Sequence, residues 1–427
     1  MVQKVKEGYR KTEVGFIPNE WKVKTIGELF EFKNGLNKGK EFFGKGTKII
    51  NYVDVFRNRC LDNSDIHGLV EVSDKEKQLF NTQKGDVFFT RTSETVNEIG
   101  MTTVLLENIN DLIYSGFVLR ARPKGDDLDL LYKKYCFSDF YARKQIISKS
   151  SYTTRALTSG TLLKDVLIKI PSMEEQQKIA EILYTVDTQI YDTDKLIKKT
   201  KEQKKGLMQM LLTKGIGHKE FKKTEFGNIP VEWSISMLNE VVEINPKKEL
   251  LDDIQQVTFI PMEGVSIEGR VIKTNIREYG AVCKGYTSFK DKDVLLAKIT
   301  PCFENGKKLL VGNLKNGVGF GSTEFHVLRC RENRAIPEFI YYYVSTHRFR
   351  QSAMLNMTGS AGQKRVPTTF LYENKLIIPP LKEQEKIAEI LSTVDFQIEQ
   401  YQNKKAKLDE LKKGLSQQLL TGKVRVV

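Results

Sequence analysis

A long internal repeat constrains the fold of this chain more than any other feature. The stretch from Pro171 to Lys214 returns at the far end as Pro379 to Gly422, without a gap and with more than half of its positions identical. Lys178–Leu183, for example, reappears as Lys386–Leu391. A repeat with so long a period is not a solenoid unit, and it predicts a chain made of two tandem halves.

Each copy of the repeat has the pattern of one long helix. A proline precedes it, Glu and Gln fill its first turn, and no proline interrupts it. Apolar residues recur at alternating steps of four and three, which predicts a coiled-coil seam that Thr193, Thr200 and Lys204 weaken midway. About forty residues at ~1.5 Å each give a rod of roughly 60 Å, and the nearest cover for its apolar stripe is the twin helix. The alternative is two unrelated core helices of separate domains. The residues predicted for the coiled coil and for partner docking are Ile179, Leu183, Val186, Ile190, Ile387, Leu391, Val394 and Ile398.

A second repeat opens each half. Gly8–Trp21 returns as Glu220–Trp233, and both tryptophans of the chain stand here, so this segment marks where each half begins. Between opener and helix lie short strand-like runs, among them Lys48–Ile50 with Tyr52–Val53, and later helical patterns, which predict mixed α and β structure. The framework runs match weakly but in the same order: Lys84–Thr92 with Asp291–Thr300, Phe117–Arg120 with His326–Arg329, and Thr153–Leu162 with Gln363–Leu371.

The charge of the chain favours a polyanionic partner. Lys and Arg exceed Asp and Glu by 14 in 427 residues, an excess that is common in nucleic-acid-binding proteins, although a basic surface can also serve solubility alone. No apolar run reaches the ~20 residues of a membrane span. The N-terminus has no signal-peptide pattern. The five cysteines are scattered without metal-site spacing, which fits a reducing cytoplasm, and the four histidines are far apart. We therefore expect a cytoplasmic protein with no metal site.

The motifs of the obvious enzyme classes are missing. The sequence has no P-loop, and its one Asn-Pro, at Asn245-Pro246, is followed by lysines rather than by the Pro-aromatic pair of an amino-methyltransferase. Polar loops instead carry the Arg, Lys, Gln and Thr side chains that bind base edges and phosphates. An ordinary surface loop is the alternative for any one of them. The predicted DNA contacts are Arg91, Thr92, Tyr152, Thr154, Arg155, Lys298, Thr300, Lys307, Ser322, Gln363, Lys364 and Arg365.

A basic run occupies the later part of each predicted helix, at Lys195–Lys205 and at Lys404–Lys413. Such a run is usually the solvated flank of a coiled coil. The alternative is a basic rod that lies along DNA or against an acidic partner.

With these features together, the chain resembles the specificity subunits of Type I restriction–modification systems over essentially its full length. The resemblance is carried by the helix starts Ile170–Leu183 and Ile378–Leu391, the KKGLxQxLLTGK-type helix ends and the IPxEW openers. Gly317–Arg329 and Ala297–Lys307 are similar to stretches of the family's recognition domains. The first half departs from the GSTEF pattern, with Ile113–Phe117 in its place.

The resemblance implies an α+β chain in which two mixed α/β target recognition domains are separated and held by two long antiparallel coiled-coil helices with pseudo-twofold symmetry. The domains would be target recognition domain 1 at 1–169, helix 1 at 170–214, target recognition domain 2 at 215–377 and helix 2 at 378–427. Each recognition domain would read one half-site of double-stranded DNA, and two modification subunits would dock on the helices. We expect no cofactor in this chain, with S-adenosylmethionine and ATP held by modification and restriction subunits. The competing classes are an enzyme, such as a fused methyltransferase or nuclease, and a coiled-coil adaptor that binds only proteins.

Overall fold

The chain folds as two compact units in a computed structural model that describes residues 7–152, 154–360 and 362–426. Unit 1 comprises Met1–Asp194 and Asn403–Val427, and unit 2 comprises Lys195–Gln402. Each unit thus contains the first part of one long helix and the last part of the other. The recognition-domain and helix boundaries drawn above follow the order of the chain, and they stay a prediction.

Unit 1 contains β-strands and short helices ahead of the first long helix. Its strands are β1 Tyr9–Thr12, β2 Gly15–Pro18, β3 Lys22–Thr25, β4 Phe30–Asn34, β5 Phe43–Ile50, β6 Cys60–Leu61, β7 Leu69–Val70, β8 Val87–Thr90, β9 Thr92–Ser93, β10 Thr102–Leu105, β11 Ile113–Tyr114, β12 Val118–Pro123, β13 Ser151–Tyr152, β14 Ala156–Leu157 and β15 Leu167–Ile170. Its helices are α1 Ile26–Leu29, α2 Tyr52–Arg57, α3 Asp74–Leu79, α4 Phe140–Lys149, α5 Gly160–Leu163 and the first part of α6 Met173–Lys214.

Unit 2 repeats this plan with its own strands and helices. The strands are β16 Phe221–Thr224, β17 Gly227–Pro230, β18 Ser234–Met237, β19 Val242–Ile244, β20 Gln256–Ile260, β21 Asn275–Glu278, β22 Thr287–Lys290, β23 Val294–Ala297, β24 Lys308–Leu310, β25 Val318–Gly321, β26 Phe325–Cys330 and β27 Lys375–Ile378. The helices are α7 Leu238–Val241, α8 Tyr279–Val282, α9 Pro337–Tyr343, α10 His347–Leu355, α11 Thr368–Glu373 and the first part of α12 Leu381–Leu419.

The sheets of the two units correspond. Unit 1 has a sheet in the order β4-β12-β8-β10-β6 and another in the order β11-β5-β7, and unit 2 has β19-β26-β23-β24 and β21-β20-β25-β22. In each unit the opener forms a hairpin, β1 with β2 and β16 with β17, and the strand before the long helix pairs with the strand after the opener. The predicted mixed α and β architecture is confirmed. The strand predicted at Tyr52–Val53 is wrong: helix α2 begins there, because Asp54 accepts a hydrogen bond from the backbone N–H of Asn51 and so caps the turn.

The two predicted long helices are confirmed, and their segments run antiparallel within each unit. In unit 1, Lys412 of α12 pairs with Asp187 of α6 at 2.6 Å, and Lys405 of α12 pairs with Asp194 of α6 at 2.8 Å. Moving toward the C-terminus of α6 therefore means moving toward the N-terminus of α12. In unit 2, Lys204 pairs with Asp395 at 2.5 Å. Seven of the eight predicted seam residues are buried, and Ile190 is half-buried. Thr193 and Thr200 are buried at the intervening seam positions, so the stripe continues through the polar middle of α6.

The start of each long helix is bound to the opener of its own unit in the same way. The indole N–H of Trp21 donates to Glu175 at 2.7 Å, and that of Trp233 donates to Glu383 at 2.8 Å. About three turns further along each helix, Tyr135 donates to Asp187 and Tyr342 to Asp395, both at 2.9 Å. These matched bonds explain why polar residues repeat with the apolar ones: each fixes a helix to the body of its unit while keeping a buried polar group satisfied.

Candidate nucleic-acid interface

An ion pair between a buried aspartate and a partly exposed arginine fixes the same strand pair in each unit. Asp86 lies immediately before β8 and accepts two hydrogen bonds from Arg122 at 2.9 and 2.8 Å, and Asp293 before β23 accepts two from Arg329 at 2.9 and 2.7 Å. Such forked bonds are charge-assisted and orient both partners. Val118 pairs with Thr90 in unit 1, as Phe325 pairs with Ala297 in unit 2. Because β8 and β12 have the same register as β23 and β26, the residues next to these strands occupy equivalent positions in the two units.

This register corrects one of the sequence matches. Phe117–Arg120 was matched with His326–Arg329 on the shared Val-Leu-Arg, but Arg122, and not Arg120, occupies the position of Arg329. Arg120 instead donates to the backbone oxygen of Asn81. A three-residue identity is too short to fix the register of a strand, which is set by its ladder partners.

The predicted residues of unit 1 converge on one edge, which we call the unit 1 edge. Thr92 on β9 pairs with Leu157 on β14, and β14 pairs with β13, which carries Tyr152. Thr154 and Arg155 are exposed in the turn between β13 and β14, whereas Thr153 lies outside the described residues. Arg91 is half-buried, and its Nη1 donates to the backbone oxygen of Gly116 at 2.8 Å. Arg91 therefore holds the loop of this edge as well as lying on it.

The predicted residues of unit 2 converge on the equivalent unit 2 edge. The backbone N–H of Thr300 donates to Lys364, and that of Val366 donates to Lys298, both at 2.9 Å. Lys307 lies beside them, since its backbone oxygen accepts from Ala297 at 3.1 Å, while its ammonium group donates to Met262 O at 3.0 Å. Ser322 caps the turn by accepting from the N–H of Glu324. Gln363 and Lys364 are exposed.

Arg155 and Arg365 do not occupy equivalent positions, although the sequence match placed them together. The N–H of Thr158 donates to Arg91 O at the position where the N–H of Val366 donates to Lys298 O in the other unit. Leu157, one residue before Thr158, is therefore the counterpart of Arg365, and Arg155 is the counterpart of Gln363. Only the backbone pairing of these short strands could reveal the two-residue shift.

Arg365 is the most firmly positioned basic side chain of the unit 2 edge. Its guanidinium bonds both oxygens of Glu324, with Nη2 to Oε1 at 2.9 Å and Nε to Oε2 at 3.0 Å. The hydrogen bonds that Arg365 donates to Glu324 raise the pKa of Arg365, which keeps the guanidinium charged. Its Nη1 also donates to the backbone oxygen of Gln363 at 3.1 Å, and the side chain remains 42% exposed, so the N–H groups not used in these bonds stay available at the surface. A guanidinium held in this way can present a fixed fork to a guanine edge.

A buried histidine contacts the backbone next to Arg365 in the unit 2 edge. His326 is 2% exposed, and its Nε2 lies 2.8 Å from Val366 O while its Nδ1 lies 3.3 Å from Asn245 Nδ2. Asn245 Oδ1 accepts from the N–H of Val327, so its amide group must face His326. These partners are satisfied by a neutral imidazole that donates from Nε2 and accepts at Nδ1. Burial lowers the pKa of His326 to about 4.

Several side chains at the unit 1 edge were not predicted from sequence. Phe117 is 64% exposed, and it lies with Tyr52, Phe56, Thr92 and Arg155 around an open cleft of about 390 Å³. The rings of Tyr52 and Phe56 stack, with centroids 5.6 Å apart and planes at 14°. The departure of Ile113–Phe117 from the GSTEF pattern marked this stretch as different, but only the backbone register puts Phe117 where unit 2 has Glu324.

One known protein family matches both halves of the chain. The family model described as the Type I restriction modification DNA specificity domain matches residues 18–203 and 230–410, which is one copy in each half and most of the chain. The chain belongs to the Type I restriction–modification DNA specificity family. The resemblance noted from the sequence is thereby confirmed, with the domain present twice.

Individual members of the specificity family match to different extents. The putative Type I restriction enzyme MjaX specificity subunit of Methanocaldococcus jannaschii is 26% identical over 98% of this chain and 97% of its own length. The EcoAI specificity subunit of Escherichia coli is 42% identical over 37% of this chain. That match spans only 27% of the EcoAI subunit, about a quarter of its length.

Solved specificity subunits share the fold. The crystal structure of the Type I system S subunit from M. genitalium has a TM-score of 0.56 at 15% identity and covers 93% of this chain and 96% of that one. A chain from a structure that describes complex assembly and conformational transition of the Type I system has a TM-score of 0.51 at 13% identity, covering 96% and 99%. Within the described residues, no helix is long and apolar enough to cross a membrane, and no cluster of three His, Cys, Asp or Glu has metal-binding geometry.

Proposed function

We propose that this chain is the non-catalytic DNA sequence-specificity subunit of a Type I restriction–modification complex in the cytoplasm. It reads a bipartite, asymmetric site in double-stranded DNA, with one half-site for each edge. The observation that carries the proposal is the double specificity domain, in which one framework holds two edges with different side chains. A common framework supports a common mode of docking, and different edges read different bases.

The charge and chemistry of the edges support DNA as the ligand. The net charge of +14 provides the long-range attraction to phosphates, which supplies much of the affinity of such proteins and makes it fall with salt. Exposed Arg155, Gln363 and Lys364, together with the half-exposed Arg365, are residue types that bind phosphates or base edges. The other eight predicted contacts lie on the same two edges, so all twelve enter the proposal as candidate contacts.

The long helices are the proposed docking elements for two modification subunits, which bring S-adenosylmethionine, and the complex recruits restriction subunits that use ATP. Seven of the eight predicted seam residues are already covered within their units, so a separate subunit would contact other positions. The exposed apolar residues of the two helices are the natural candidates, because covering apolar surface lowers the free energy in proportion to the area removed from water. They include Met173, Tyr184, Leu196, Met210, Ile390, Phe396 and Leu411.

Replacing Arg365 tests the reading role of the unit 2 edge. We expect Arg365→Ala, in the chain assembled with its modification subunits, to relax discrimination at one base pair of one half-site by about 1–3 kcal/mol, the value of a bidentate base contact. Arg365→Lys should give a similar loss, because lysine keeps the charge but not the fork. The measurement is competition binding to duplexes with single base changes, repeated across a salt series.

Arg334→Ala is the matched control, since Arg334 is an exposed arginine of the same unit that was not predicted to touch DNA. It should leave base preference unchanged. If the assembled complex binds duplex DNA with no dependence on sequence or salt, the proposed function is wrong and a protein-binding adaptor is favoured. If sequence preference survives both Arg365 variants, Arg365 is not a base contact.

A further inference from the structure

Two positions distinguish the edges on an otherwise equivalent backbone. The N–H of Arg91 donates to Phe117 O at 3.2 Å, and the N–H of its counterpart Lys298 donates to Glu324 O at 2.9 Å. Thr92 pairs with Leu157, as Ile299 pairs with Arg365. Phe117 therefore stands where unit 2 has Glu324, and Leu157 stands where unit 2 has Arg365.

The exchange replaces an ion pair by two apolar side chains. Glu324 and Arg365 bond each other in unit 2. In unit 1 the same two places hold Phe117, 64% exposed, and Leu157, 42% exposed. The groups beside them are mostly polar or charged: Thr92 pairs with Leu157, and Arg155, Glu94 and Glu98 line the cleft with Phe117, as do the stacked rings of Tyr52 and Phe56. Two exposed apolar side chains within a polar edge point to a ligand that presents a small apolar group among polar ones.

Base edges in the major groove present one such group. The 5-methyl group of thymine lies beside hydrogen-bond acceptors and donors, and Phe and other apolar side chains are among its usual contacts. We propose that Phe117 and Leu157 read the 5-methyl group of a thymine in the half-site of unit 1. The proposal rests on the proposed function, because it assigns a base chemistry to an edge already placed on DNA.

The experiment compares thymine with deoxyuridine, which differs only in lacking the methyl group. Each thymine of the target duplex is replaced singly, and binding of the chain assembled with its modification subunits is measured. At one thymine of the half-site that Arg365→Ala leaves unaffected, we expect deoxyuridine to weaken binding about fourfold, the value of burying one methyl-sized group. The double variant Phe117→Ala with Leu157→Ala should bind thymine and deoxyuridine duplexes equally at that position.

Phe140→Ala provides the control, because Phe140 is an equally exposed phenylalanine, 66% exposed, that begins α4 of the same unit. It should keep the fourfold discrimination. Equal binding of all deoxyuridine duplexes by the unsubstituted chain, with sequence specificity otherwise intact, overturns the methyl-reading proposal and leaves the proposed function standing. Discrimination that persists in the double variant also overturns it, since another group then reads the methyl. Loss of all sequence-specific binding by the unsubstituted chain contradicts the proposed function itself.

Discussion

The Asp139→Ala variant is expected to lower the free energy of unfolding of unit 1 by about 3–5 kcal/mol, the usual cost of leaving one buried charge without its partner. Lys169 on β15 is buried, and its ammonium group bonds both Asp139 oxygens, at 3.1 and 3.2 Å. Asp139 also caps α4 by accepting from the N–H groups of Tyr141 and Ala142. Burial lowers the pKa of Lys169 even with this partner, which acts on the pKa in the opposite direction.

Unit 2 has uncharged residues at the two positions of this ion pair, and they suggest a double variant that should restore stability. Thr346 caps α10 where Asp139 caps α4, and Ile377 stands on β27 where Lys169 stands on β15. The double variant Asp139→Thr with Lys169→Ile should recover most of the lost stability, because replacing a buried ion pair by an apolar residue is often neutral. Urea unfolding of the full chain, read by pulse hydrogen exchange of unit 1 peptides, checks both results. A single variant within 1 kcal/mol of the unsubstituted chain would contradict the role given to this ion pair.

Acidification is expected to destabilise unit 2 through His326. The folded-state pKa is about 4 against an ordinary 6.5, so between these values the unfolded chain binds a proton that the folded chain excludes. The stabilisation is therefore complete above pH 6.5 and is lost as the pH falls toward 4, by about 3 kcal/mol in total. The main physical reason is burial, which withholds water from the charged ring, and Lys298 adds repulsion while the hydrogen bond to Val366 O and the charge of Glu324 oppose it. A protonated Nδ1 would also face the amide N–H of Asn245.

Carboxylates titrate over the same pH range, so the pH dependence of the unfolding free energy of one protein alone does not isolate His326. The test is therefore the difference in that pH dependence between variants. His326→Leu adopts the residue that unit 1 has at this position, Leu119, and should be less stable at pH 7 but show about 3 kcal/mol less dependence on pH. His347→Gln, at an exposed histidine of the same unit, should keep the full dependence. Urea unfolding between pH 4 and 7.5, read from unit 2 peptides, makes the comparison. Parallel pH curves for the His326 variant and the unsubstituted chain would contradict the neutral, buried assignment.

The long helices could be predicted because their signal is local. The four-and-three spacing of Ile179, Leu183 and Val186 repeats over the whole segment, and a helix of this kind needs no knowledge of the rest of the fold. Even the polar middle follows the pattern, since Thr193 is buried and Lys204 reaches Asp395. The repeat also predicted that the two halves share one architecture.

The sequence could not predict which residues of the two edges occupy equivalent positions, because this depends on pairing between short strands that are distant in the chain. Matching Arg155 with Arg365 and Phe117 with His326 was reasonable from residue identity, yet both matches differ from the backbone register. A two-residue strand carries too little sequence pattern to fix its register, and its place is set by partners more than fifty residues away. The ion pair of Glu324 with Arg365, and its apolar counterpart, emerge only once that register is known.

The measurement that tests the central claim most directly is single-base methylation mapping of genomic DNA from cells that carry this chain with its modification subunit. The two-edge account predicts a split motif, with two different short half-sites separated by a gap of fixed length. The Arg365→Ala variant should broaden one half-site and leave the other unchanged. A continuous motif, or one in which both halves broaden together, would contradict the assignment of one half-site to each edge.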